Sequence, residues 1–109
     1  VELIEFTVAP HVTVSEGLPH HEWLIEFAKA PDKLEDFSLE LDNQLRGLNV
    51  YYDDLIKGNI LRTLRITSLP SNTFISYMRS LGKLGGQNKV PRLSNDRKIA
   101  EELHNISGL

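Results

Sequence analysis

Apolar and polar positions alternate at the start of the chain. Ile4, Phe6 and Val8 share one parity and Glu5 and Thr7 the other, which predicts a half-buried strand over residues 1–8. Pro10 rules out simple continuation as a central strand, although Val12-Thr13-Val14 extends the run along an edge. Ser15 to Pro19 is turn-forming, and a second strand comes next with His21, Trp23, Ile25 and Phe27 on one face and Glu22, Leu24 and Glu26 on the other. The short connection predicts an antiparallel hairpin, with Trp23 and Phe27 on its heavier, core-facing side.

The period then changes. Leu34, Phe37, Leu41, Leu45, Leu48, Tyr52 and Leu55 recur at helical spacing, predicting one long amphipathic helix that opens near Pro31 or Asp32 and stops at Gly58-Asn59. Gly47 lies inside that pattern. Leu61 to Leu69 reads as a third strand, with Leu64 and Ile66 inward and Arg62 and Arg65 outward. Ser71 or Asn72 caps a short helix through Arg79, and Gly82 closes it. Ser94 or Asn95 caps a last helix with Ile99, Leu103 and Ile106 on one face. The order β-β-α-β-α-loop-α predicts an α+β fold. A long helix lies on one face of a small antiparallel or mixed sheet, a partial ferredoxin-like split βαβ, joined by C-terminal helices and a basic Gly-rich loop.

With 109 residues, the chain is one domain at most. It has no cysteine, hence no disulfide and no thiolate metal site, and it contains no apolar run of bilayer length. These features, with no basic leader at its start, fit a cytoplasmic setting. Its net charge of −3 argues against general nucleic-acid binding. Charge is unevenly spread, however: Arg79 to Lys98 holds six basic residues against Asp96 alone, a net +5, leaving −8 for the rest.

That basic stretch contains the chain's one concentrated chemical signal. Gly85-Gly86 lets the backbone approach a partner closely, Gln87, Asn88 and Lys89 offer three donor side chains in a row, and Pro91 stiffens the backbone just beyond them. Such a loop suits a phosphate or carboxylate, although its spacing is not that of a Walker A motif, and a solvated connection is the plain alternative. Arg92 is a further candidate for phosphate or interface contact, while Lys83 and Arg97 read as surface charges. Adjacent strand residues point to opposite faces, so His20-His21 reads as a solvated pair rather than a chelating one, and His11 and His104 lie far off in sequence. Glu35, Asp36, Glu40 and Asp42 read as a solvated helix face. The serines lie in caps and turns, without the context of a nucleophile.

GKLGGQNKVPRLSNDR, with HHEWLIEF upstream, resembles the C-terminal end of the auxin-responsive (Gretchen Hagen) family of acyl-acid amido synthetases, bacterial members above all. The resemblance runs over nearly the whole chain, and GGQNKVPR is its most specific part. It implies a mobile C-terminal domain of an adenylate-forming enzyme, with an upstream β-α unit and a large N-terminal adenylation domain outside the present chain. Lys89 would be the loop lysine brought to the active site, with Gly85, Gly86, Gln87, Asn88 and Arg92 shaping the loop or touching substrate or phosphate. ATP and Mg would serve the full-length enzyme, which joins an acid to an amino acid, and the present chain alone would hold no cofactor and be inactive. An exposed sheet edge near Ile4, Phe6, Trp23 or Ile25 would lead the isolated chain to self-associate as a homodimer. Two other readings stand beside this one: a ferredoxin-like module whose basic loop docks a phosphorylated ligand or acidic surface, and a purely structural dimerisation domain.

Overall fold

A computed structural model describes residues 1–12, 17–82 and 90–108. The elements are β1 (Glu2–His11), β2 (His20–Lys29), α1 (Leu34–Leu48), α2 (Val50–Lys57), β3 (Arg65–Leu69), α3 (Thr73–Ser80) and α4 (Lys98–Ser107). The α+β fold and small mixed sheet are those expected from the pattern. The sheet order is β1-β2-β3, with β1 antiparallel and β3 parallel to β2. The strands joined by the helical crossover are direct neighbours, so no strand splits the βαβ unit.

Successive residues of β2 point to opposite faces of the sheet. On one face His21 stacks on Tyr52 of α2, and Phe27 meets Phe37 of α1 edge-on with centroids 5.8 Å apart. On the other, Leu24 joins a core cluster with Ala9 of β1, Leu69 of β3, and Phe74, Tyr77, Val90, Ala100 and Leu103 from α3, α4 and the segment between them. The sheet therefore lies between two helical layers. This explains why the parity read as polar, with Thr7, Glu22 and Glu26, is buried.

The long helix is two helices. Asn49 takes an extended conformation (φ −131°, ψ 103°); its N–H still bonds the Leu45 carbonyl, while its side chain accepts from the Tyr52 N–H at 3.1 Å and caps α2. The apolar stripe fails at the same place, since Leu48 is 83% exposed. Asp42 is buried rather than solvated: it accepts the Tyr52 hydroxyl proton, and that hydroxyl accepts from the Leu64 N–H. Asp42 thereby ties α1 to α2 and to the entry of β3. Burial, then the bond to Asp42, pushes the Tyr52 phenol upward.

Two caps also differ from expectation. Asn72 precedes α3 in a left-handed conformation (φ 70°) and provides no side-chain cap. Both oxygens of Glu26 accept instead, from Asn72 N at 3.0 Å and Phe74 N at 2.9 Å. α4 starts at Lys98, later than a Ser94 or Asn95 cap would set it, and Asp96 accepts from the Lys98 N–H at 3.0 Å. Gly82 does close α3, at φ 69°, where a side chain would be strained. On α4 Leu103 is fully buried, Ile99 packs on the core and Ile106 is exposed. Of the edge residues, Ile25 is buried and Ile4 is exposed; Phe6 and Trp23 are half-buried and stack at 5.4 Å.

Candidate functional site

The basic stretch leaves α3 at Gly82 and re-enters the described structure at Val90, which is buried in the core cluster. Lys89, Gly85, Gly86, Gln87 and Asn88, the residues carrying the chemical reading, lie outside the described residues. The segment just after them is bound to the sheet. Thr7 donates its hydroxyl to the Pro91 carbonyl at 2.6 Å. The Val8 N–H bonds the Arg92 carbonyl at 2.9 Å, and the Ser94 N–H bonds the Val8 carbonyl at 2.8 Å. Residues 91–94 thus run along the outer edge of β1, where Leu93 forms a parallel bridge with Val8. Pro91 suits this position because its missing N–H is not called on by the ladder.

Arg92 is described, and it is engaged with β1. Its guanidinium pairs with Glu5 and sits 4.7 Å over the Phe6 ring while the side chain stays half exposed. It is held beside the sheet edge, three residues after Lys89.

Arg97 is no loose surface charge. It donates to Glu22 at 2.6 Å, the other Glu22 oxygen meets His104 Nε2 at 2.8 Å, and Thr67 donates its hydroxyl to that same oxygen. One buried carboxylate therefore joins β2, β3, the approach to α4, and α4 itself. Burial works against its charge, but the bonds from Thr67, Arg97 and His104 outweigh that and hold the Glu22 carboxyl below its ordinary range. Glu22 was legible only as the polar parity of a half-buried strand; its partners are 45 to 82 residues away.

The histidines at the start of β2 are not a solvated pair. His20 is 4% exposed, stacks on His11 at 4.7 Å, and has Arg62 Nη2 3.4 Å from its Nδ1. Burial, and then the positive surroundings of His11, Arg65 and Arg62, lower its pKa to about 4, so the ring is neutral at pH 7. No cluster of three or more His, Asp and Glu able to hold a metal ion occurs among the described residues. No helix among them is long and apolar enough to cross a membrane.

A three-stranded mixed sheet between paired helices, with residues 91–94 laced along its edge, defines a small α+β domain. The chain belongs to the GH3 family: the GH3 family C-terminal domain matches residues 1–98. Among solved structures it is similar to a GH3.15 acyl acid amido synthetase, with a TM-score of 0.72 and 18% identity, over 94% of this chain and 19% of that one. It is also similar to AtGH3.15 acyl acid amido synthetase in complex with 2,4-DB, with a TM-score of 0.70 and 19% identity, over 94% of this chain and 20% of the other. The chain thus spans about one fifth of the length of these relatives. No curated protein matches significantly in sequence.

Proposed function

We propose that this chain is the C-terminal domain of an ATP-dependent acyl acid amido synthetase of bacterial type, working with an N-terminal adenylation domain of the same protein in the cytoplasm. The carrying observation is the family match over residues 1–98, joined to a fold shared with two structures of GH3.15 acyl acid amido synthetase. In this reading a carboxylate attacks the α-phosphate of ATP, giving acyl-adenylate and pyrophosphate. An amino acid's amine then attacks the adenylate carbonyl, forming the amide and releasing AMP. Lys89 offsets negative charge developing on the phosphates of the first step, and Mg shares that task. Gly85 and Gly86 allow close backbone approach; Gln87 and Asn88 position the loop or touch substrate.

The described residues support the mechanical half of this reading. Val90, Pro91, Arg92 and Ser94 are bonded to or packed on the sheet immediately after Lys89. Lys89 is covalently joined to this anchored segment, so in this reading a movement of the domain carries it along. Arg92, paired with Glu5 through one guanidinium nitrogen and half exposed, fastens the segment after Lys89 and keeps further donors for an anion.

The test is amide formation by the full-length protein, given ATP, Mg, a panel of aryl and alkyl carboxylic acids, and the common amino acids. Mass spectrometry should find an ATP-dependent amide with at least one pair. ATP consumption without amide, or no reaction across the panel, contradicts the reading.

A further inference from the structure

Four consecutive residues of β1, Glu5 to Val8, grip the chain that follows the basic loop. Glu5 pairs with the Arg92 guanidinium, which also lies 4.7 Å over the Phe6 ring. Thr7 donates its hydroxyl to the Pro91 carbonyl at 2.6 Å. Val8 donates its N–H to the Arg92 carbonyl at 2.9 Å and accepts the Ser94 N–H at 2.8 Å. Farther on, Arg97 donates to Glu22 of β2 at 2.6 Å. Both partners of every one of these contacts belong to this chain.

The backbone bonds and the side-chain contacts differ in what they fix. Ladder bonds repeat along an edge and do not by themselves set the register. Neighbouring strand residues point to opposite faces, and here Phe6 takes Arg92 on one face while Thr7 takes Pro91 on the other. Neither contact survives a slip of one residue, which moves the segment by about 3.3 Å. Thr7 is fully buried, so its hydroxyl needs a partner, and the Pro91 carbonyl provides it.

Resting on the adenylation reading above, we propose that Thr7 is a positioning residue for acyl-adenylate formation. Its hydroxyl fixes the Pro91 peptide, two residues beyond Lys89, and with the Glu5–Arg92 pair it sets the register of residues 91–94 on β1. Thr7 touches neither ATP nor acid in this role and acts through Lys89. A misplacement of about 1 Å costs a reacting geometry on the order of 100-fold. Loss of the fastening therefore lowers kcat, while the binding of ATP and acid, assigned to another domain, is kept.

The assay is pyrophosphate release by the full-length protein with ATP, Mg and its acid. Thr7→Val keeps the branched shape and loses the hydroxyl; kcat should fall about tenfold or more, with KM for ATP and for the acid unchanged. Thr7→Ser keeps the hydroxyl and should restore most of the rate. Added to Lys89→Ala, Thr7→Val should cause no further loss, because residues that act as a unit are not additive. Tyr52→Phe, which weakens the opposite helical layer, should keep the wild-type kcat. Glu5→Ala loosens the surface pair without entering the core and should lower kcat in the same way, which keeps the role testable if Thr7→Val does not fold. A wild-type kcat in Thr7→Val or in Glu5→Ala, no rescue by Thr7→Ser, a further loss in the Lys89→Ala background, or an equal fall in Tyr52→Phe overturns the role of Thr7 and leaves adenylation standing. No release by the wild type overturns the adenylation reading itself, and the role of Thr7 with it.

Discussion

Glu22 shows how one side chain organises a small domain. A buried carboxylate with three donors is stable only while all of them are present, and removing it leaves Arg97 and Thr67 without their acceptor. Glu22→Leu should therefore destabilise the domain by about 3–5 kcal/mol, and Glu22→Gln by less, as read from urea midpoints. Its folded pKa is depressed, so its contribution is complete above the unfolded carboxyl value of about 4.3 and disappears as acid titrates the folded group. His20 acts in a higher window. Its pKa of about 4 lies below the ordinary value of 6.5, so the unfolded chain takes up that proton first and stability falls as pH drops from 6.5 to 4. Urea midpoints at pH 7 and pH 5 should differ in the wild type and differ less in His20→Gln; equal differences contradict the assignment. Neither residue could be placed from sequence. Their strand parity was legible, but the helices and arginines that bury them come from distant segments.

At the scale of elements, polar side chains set the boundaries that periodicity missed. The 3.6-residue stripe continues through Leu48, yet Asn49 offers its side-chain carbonyl to the Tyr52 N–H and starts a new helix. An Asn followed by the β-branched Val50 was the available signal, and the stronger periodicity hid it. The Tyr52 hydroxyl locks that corner, so Tyr52→Phe should cost about 1–3 kcal/mol by removing the hydrogen-bond donor to buried Asp42 and leaving the Leu64 N–H unpartnered. Guanidinium unfolding measures it; a loss below about 0.5 kcal/mol would mean that water replaces both bonds. Glu26 caps α3 from another strand, a long-range version of the local cap expected at Ser71 or Asn72. Glu26→Ala should speed exchange of the Phe74 amide and cost about 1–2 kcal/mol. The first two strands, the two C-terminal helices and the stop at Gly82 were readable because each rests on local chemistry, whereas the third strand, expected over residues 61–69, is confined to Arg65–Leu69.

At the scale of the molecule, the layers and the loop stem point one way. Both faces of the sheet are covered, and the segment after Lys89 is fastened to β1 by Thr7 and Val8. Little of this fastening was legible in the sequence, because backbone bonds to an edge strand leave no side-chain signature. The basic, Gly-rich composition was legible, and it singled out the same segment. The role proposed for Lys89, in a site built by another domain, predicts weak ATP binding by this chain; calorimetry on the isolated chain should show no micromolar, salt-resistant binding. The most direct measurement is pyrophosphate release by the full-length protein carrying Lys89→Ala, with ATP and its acid. Loss of one electrostatic contact to a developing charge predicts a fall of about 100-fold or more with folding unchanged. Release at the wild-type rate would contradict this role for Lys89.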